Sequence, residues 1–185
     1  MSAAAGKLLC TIAVVSAVTA SAALAATSVG TNGDDDLRGT DSADTIFGLR
    51  GDDRIRADDG DDTVYGDGSC PRGSSDSSYC STGERHDDGD DDVKGGAGDD
   101  TLYGQGGDDR INGGRGDDVI VGGSDRDELF GGPGDDVIKA RDGDKDAIHC
   151  GPGDDRVEAD GFDAVARDCG RARRRNDWSD RYHWH

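Results

Sequence analysis

Aspartate recurs at one place in a nine-residue frame, and carboxylates held in register are the side chains of this chain best placed to do chemistry. From Gly95 the sequence reads GGAGDDTLY, GQGGDDRIN, GGRGDDVIV, GGSDRDELF and GGPGDDVIK. Glycines open each unit, an acidic residue holds its sixth place and a large aliphatic its eighth. The frame runs in both directions, and its sixth places are Asp35, Asp44, Asp53, Asp62, Asp91, Asp100, Asp109, Asp118, Asp127, Asp136, Asp146, Asp155 and Asp163. Carboxylates are the charged donors of hard divalent cations, which take about six to eight oxygen ligands and fill the remainder from carbonyls. Glycine allows the positive φ that a turn needs to aim several carbonyls at one point. The candidate cation ligands are Asp35, Asp53, Asp62, Asp91, Asp100, Asp109, Asp118, Asp136 and Asp155. The turns GGAGDD, GGRGDD, GGPGDD and CGPGDD, ending at Asp100, Asp118, Asp136 and Asp155, keep the pattern most fully. They are predicted to hold ions most tightly.

Such ligands need elements that repeat at the same beat. The eighth-place residues Leu37, Ile46, Ile55, Val64, Val93, Leu102, Ile111, Ile120, Leu129, Ile138, Ile148, Val157 and Val165 predict short strands with that side chain inward and its two neighbours outward. A fixed period held over so many units marks a repeat architecture rather than chance acidity.

The units resemble the nonapeptide GGxGxDxUx of repeats-in-toxin (RTX) proteins, over roughly residues 30 to 168. The resemblance implies an all-β, calcium-dependent parallel β-roll. In such a roll the first six residues of a repeat form a turn and the last three a strand, two repeats complete one turn, and calcium sits between turns stacked on one edge. With about thirteen repeats the chain would make about six turns. The segment DAVARDC, ending at Cys169, resembles the closing segment of small secreted RTX-type proteins from high-GC Gram-positive bacteria.

Composition bounds the function. The net charge is −20, hydrophobic content is 32%, and 39 of the 41 acidic residues lie between Gly30 and Asp168. Without cations such a chain has the signature of disorder, so metal binding and folding are expected to be coupled. The same acidity excludes nucleic acid as a partner. No HExxH or GxSxG motif occurs, and outside the array there is no room for a catalytic domain, so the chain is read as a non-catalytic, calcium-binding protein. The alternative is a cell-surface adhesion or interaction module that uses calcium for rigidity alone.

The flanks set the compartment. Residues 1–26 carry Lys7, an apolar run and the small-residue pattern Ala23-Leu24-Ala25, which reads as a secretory signal peptide, with a retained membrane anchor as the competing reading. Cleavage would leave a secreted, extracellular protein with no stable membrane insertion. Four cysteines then remain, and they allow three pairings. Proximity favours Cys70–Cys80 and Cys150–Cys169, and without a CxxC pair zinc is poorly supported. The roll is placed at 27–169, with an inserted Ser/Gly-rich loop at 66–85 and a disordered basic-aromatic tail at 170–185. Odd repeats present outward pairs such as Arg54/Arg56 and Asp92/Lys94, a charged face. Even repeats present Thr45/Phe47, Thr63/Tyr65 and Thr101/Tyr103. A flat aromatic column suits a cell-envelope polymer or a second copy of the protein, although like-residue ladders also stabilise a sheet on their own.

Overall fold

The structure is a computed structural model and describes residues 25–67 and 89–170, together with the backbone of 173 and 174. It is a parallel β-solenoid whose strands alternate between two facing sheets. One sheet orders β1 (Thr27–Val29), β3 (Thr45–Leu49), β5 (Thr63–Asp67), β7 (Thr101–Gln105), β9 (Val119–Gly123), β11 (Val137–Ala140), β13 (Arg156–Ala159) and β15 (Arg173–Arg174). The other orders β14 (Ala164–Val165), β12 (Ala147–His149), β10 (Glu128–Phe130), β8 (Arg110–Arg115), β6 (Asp92–Ala97), β4 (Arg54–Asp59) and β2 (Asp36–Arg38). Each strand therefore pairs with the one two repeats away, as a roll with two repeats per turn requires.

The eighth-place aliphatics all fall on β2 to β14 and are in register. Ile46, Val64, Leu102, Ile120, Ile138 and Val157 align in one sheet, and Leu37, Ile55, Val93, Ile111, Leu129, Ile148 and Val165 align in the other. Interior members are fully buried, and only Leu37 and Val165, at the two ends of their column, are partly so. At a rung spacing of about 4.8 Å each side chain packs on the next like a stack of plates. This core is thin, one large aliphatic per strand with small additions such as Ala57, Ala140 and Ala159, so the turns carry much of the fold.

The roll is longer than the repeats alone. β1 precedes the first repeat and β15 follows the last, so the strands make about seven turns rather than about six. Three boundaries shift for the same reason: backbone pairing outruns the sequence pattern. Ala26 belongs to the roll, since its carbonyl accepts the Thr45 N–H at 2.9 Å and its N–H donates to Asp44 Oδ1 at 2.6 Å. Gly66 and Asp67 are buried in β5, so the insertion begins after Asp67 rather than at 66. Arg173 and Arg174 pair with Glu158 and Ala159 and add a rung within the segment read as a disordered tail. Residues 1–24, where a signal peptide is expected, Cys70, Cys80 and the rest of the insertion and tail lie outside the described residues. Among those described, no helix is long and apolar enough to cross a membrane.

The predicted Cys150–Cys169 disulfide is present, with Cα atoms 4.9 Å apart. It joins the turn before β13 to a short 3₁₀ segment, Arg167–Cys169, that closes the C-terminal end.

Candidate metal centre

The sixth-place aspartates form two ladders, one along each edge of the roll. In each, Oδ1 accepts the backbone N–H of the equivalent aspartate one rung below. Along one edge Asp35 donates to Asp53, Asp53 to Asp91, Asp91 to Asp109, Asp109 to Asp127 and Asp127 to Asp146, at 2.8 to 3.0 Å. Along the other, Asp44 donates to Asp62, Asp62 to Asp100, Asp100 to Asp118, Asp118 to Asp136 and Asp136 to Asp155, at 2.7 to 3.0 Å. The second oxygen is treated differently. Oδ2 of Asp53, Asp62, Asp91, Asp100, Asp109, Asp118, Asp127, Asp136, Asp146 and Asp155 is buried and has no hydrogen-bond partner. A buried carboxylate oxygen with nothing to accept from is costly, and its recurrence along the inner rungs calls for a cation.

What surrounds that oxygen is oxygen. A Cβ placed on Gly95 would collide with Asp100 Oδ2 and with the Gly113 carbonyl. The same pairing recurs at Gly48 with Asp53 and Gly66, at Gly104 with Asp109 and Gly122, at Gly113 with Asp118 and Gly131, and at Gly131 with Asp136 and Cys150. Where a repeat opens on glycine, that residue leaves open a cradle between a carboxylate and the carbonyl of the next rung. Residue 2 of the repeat completes it by turning backwards. Gly96, Gly114, Gly123 and Gly132 have positive φ, as do the non-glycine residues Leu49, Asp58 and Gln105 at the same place. With that turn the residue-2 N–H points away from the aspartate: Gly114 donates to the Gly131 carbonyl at 3.0 Å and Gly132 to the Cys150 carbonyl at 2.8 Å.

Burial pushes the carboxyls up. Asp53, Asp62 and Asp136 rise to about 6, Asp100, Asp118 and Asp146 to about 7, Asp91 and Asp127 to about 8, and Asp109 to about 10. Desolvation is the main cause. The N–H on Oδ1 opposes it, and neighbouring aspartates in the ladder add to it. Among the described residues no group of three His, Cys, Asp or Glu side chains gathers as a metal cluster. The donor set is instead one carboxylate with backbone carbonyls, which suits a hard, oxygen-seeking cation and not a soft one.

A family model for the RTX calcium-binding nonapeptide repeat, in 4 copies, matches residues 29–64, 87–120, 113–144 and 121–157. This chain belongs to that family. RTX repeats bind calcium, and the orphaned oxygens and glycine cradles fit such an ion. No curated protein and no solved structure matches the chain.

Most ligands anticipated from the RTX pattern share one geometry, and the exceptions are informative. Asp35 differs: its Oδ2 accepts the Thr31 N–H at 2.5 Å and the Thr31 hydroxyl at 2.9 Å. Asp44, in the next repeat, accepts the Thr40 N–H at 2.5 Å on the same oxygen. Threonine stands where later repeats turn to positive φ, a conformation a β-branched residue resists, so the N–H stays on the repeat's own aspartate. At the other end Asp163 Oδ2 accepts the Asp160 N–H at 2.7 Å. The first two repeats and the last are thus closed by protein donors. Conversely, Asp127 and Asp146, whose turns GGSDRD and DGDKD depart from the pattern, carry the same unpartnered Oδ2 as the others. Asp125, at the fourth place of its turn, takes the positive φ that glycine takes elsewhere, so the turn survives the substitution.

The fifth-place aspartates had been given no role. Their Oδ1 atoms accept N–H groups in the opposite sense, from the rung above: Asp52 donates to Asp34, Asp90 to Asp52, Asp108 to Asp90, Asp117 to Asp99 and Asp135 to Asp117, at 2.7 to 3.2 Å. The Gly-Asp-Asp triplet is therefore two counter-running ladders, an exposed one that ties rungs together and a buried one that faces the cradle.

Proposed function

We propose that this chain is an extracellular, non-catalytic calcium-binding protein whose roll folds as its calcium sites fill. The observation that carries the reading is the column of buried, unpartnered Oδ2 atoms on each edge, most of them against a first-place glycine whose missing side chain leaves room beside a carbonyl. Calcium bound there would neutralise carboxylates that burial otherwise disfavours. The residues' own part is to hold one oxygen of each aspartate on a backbone N–H so that the other faces the ion. Secretion is read from residues 1–26, whose apolar run and Ala23-Leu24-Ala25 pattern fit a signal peptide. Extracellular calcium is abundant enough for modest-affinity sites, with Kd on the order of 0.1–1 mM. A far-ultraviolet circular dichroism titration with calcium, magnesium and a chelator tests the reading. A β-rich spectrum should appear with calcium alone, and a β-rich spectrum in chelator would refute the coupling.

A second reading, an interaction module that uses calcium for rigidity, is favoured by one feature. Phe47, Tyr65 and Tyr103 stack with ring centroids 5.0 Å apart and planes within 4°. Phe47 is buried at 5% exposure, so the accessible part of the column is Tyr65 and Tyr103. Replacing both tyrosines by serine should weaken self-association or binding to cell-envelope polymer while calcium-induced folding stays intact. Unchanged binding would leave the ladder as sheet packing.

A further inference from the structure

Asp58 and Asp67 both stand at the second place of a repeat, and the two side chains go opposite ways. Asp58 has φ of 76° and its carboxylate meets Arg38 outside the roll, at 2.5 Å. Asp67 does not take the positive φ of its counterparts Leu49, Asp58 and Gln105. Its side chain is carried inward and is 1% exposed, with Oδ1 accepting the Gly89 N–H at 3.3 Å. Gly89 opens the turn that leads to Asp91, and Gly66, the residue before Asp67, is the cradle glycine on which Asp91 Oδ2 and the Gly104 carbonyl converge. Asp91 is 2% exposed and its Oδ2 has no partner.

We propose that Asp67 supplies a second carboxylate to the Gly66 cradle, so that Asp67, Asp91 and the Gly104 carbonyl form a two-carboxylate site for a divalent hard cation, the tightest site of the roll. The inference rests on the calcium-binding reading above and goes beyond the repeat pattern, which puts no acid at this place. Other cradles on this edge have Leu49, Gln105 or Gly123 after the cradle glycine and so hold a single carboxylate. Ligand charge is what sets calcium affinity in sites built of oxygen. Two buried carboxylates side by side without a cation repel each other, and Asp67 is the foremost of the neighbouring charges that raise Asp91. With a cation between them the same pair is the best-matched donor set on the edge. The site also lies where the insertion after Asp67 leaves and rejoins the roll, at the longest gap in the array, where a strong tie between β5 and β6 does most to keep the rungs in register.

The test is calcium titration calorimetry with a competing chelator on wild type and the variants Asp67→Asn, Asp67→Glu and Asp58→Asn, with circular dichroism at saturating calcium as the check on folding. Asp67→Asn should weaken the tightest class of sites about tenfold, while Asp67→Glu and Asp58→Asn keep it. A tightest class unchanged in Asp67→Asn, or weakened equally in Asp58→Asn, would overturn the proposal. If Asp67→Asn never becomes β-rich, Asp67→Glu decides: a wild-type tight class supports a carboxylate donor, and its loss in a folded protein refutes one. Wild type that binds no calcium would overturn the underlying functional reading instead, and this proposal with it.

Discussion

At the scale of single residues, each repeat divides the labour of one aspartate between its two oxygens. Asp118 Oδ1 is held by the Asp100 N–H at 2.8 Å, and Oδ2 is left facing the Gly113 cradle. Asp118→Ala should lower the calcium affinity of folding and lower it more than Asp127→Ala, because the turn before Asp118 has glycine at both positive-φ places, Gly114 and Gly116, while the turn before Asp127 keeps its shape with Asp125 in a conformation that costs a non-glycine residue more. Matched calcium titrations followed by circular dichroism check this, and equal effects would show that the cradle matters and the turn does not. Protons compete for the same oxygens. The metal-free folded pKa values, from about 6 at Asp53 to about 10 at Asp109, lie above the unfolded value of about 3.9. Between the two values the folded state binds more protons, so the metal-free roll loses stability as pH rises from about 4 through that range. Calcium must displace those protons, so its apparent affinity should strengthen as pH rises. Calcium midpoints at pH 5.5 and 7.5 should differ in that direction, and identical midpoints would contradict it.

At the scale of elements, the ends of the roll are finished differently from its middle. Thr31 and Thr40 turn their N–H groups onto Asp35 and Asp44, closing by hydrogen bond the oxygen that inner repeats leave open. Thr31→Gly together with Thr40→Gly should let these turns reverse and raise the number of bound calcium ions, as read by equilibrium dialysis. An unchanged stoichiometry would mean that the end rungs lack a site for another reason. The C-terminal end is tied covalently by Cys150–Cys169, a loop with a sequence separation of 19. Removing both cysteines as a pair should destabilise this end by about 3 kcal/mol, and hydrogen exchange should show β12 to β14 fraying before β7 to β9. Uniform exchange along the roll would argue against a local tie. The outer surfaces also differ along their length. The charged face holds Arg54 3.7 Å from Asp92, but its far half carries Phe130 stacked on His149 at 5.2 Å with Arg110 above the Phe130 ring.

At the scale of the whole molecule, a thin core and a net charge of −20 must be reconciled. The stack of single aliphatics buries little area per residue, and the two aspartate ladders place like charges at every rung. Removal of calcium should therefore unfold the roll as one cooperative unit, and magnesium should not restore it, since it demands near-octahedral geometry and gives up its waters reluctantly. Thermal melts in calcium, in magnesium and in chelator check this. A cooperative melt in chelator would show that packing alone suffices.

Periodicity specified a repeat architecture with an inward aliphatic at each eighth place, and the RTX resemblance implied the roll; all thirteen eighth-place residues fall on strands in the anticipated register. The aspartates were legible for the same reason. What needed the tertiary structure was every feature that depends on contacts between rungs. Sequence at Asp127 and Asp146 looks degenerate, yet the backbones of adjacent rungs hold those turns in shape and their oxygens match the rest. Asp35 looks regular, yet the conformation of Thr31 withdraws it. β1 and β15 carry no repeat and exist because an open sheet edge offers unpaired backbone groups to whatever chain lies alongside. Asp58 and Asp67 are the same residue at the same place of their repeats, and only the sign of a backbone angle, decided by the neighbouring rungs, sends one to solvent and the other into the column of carboxylates.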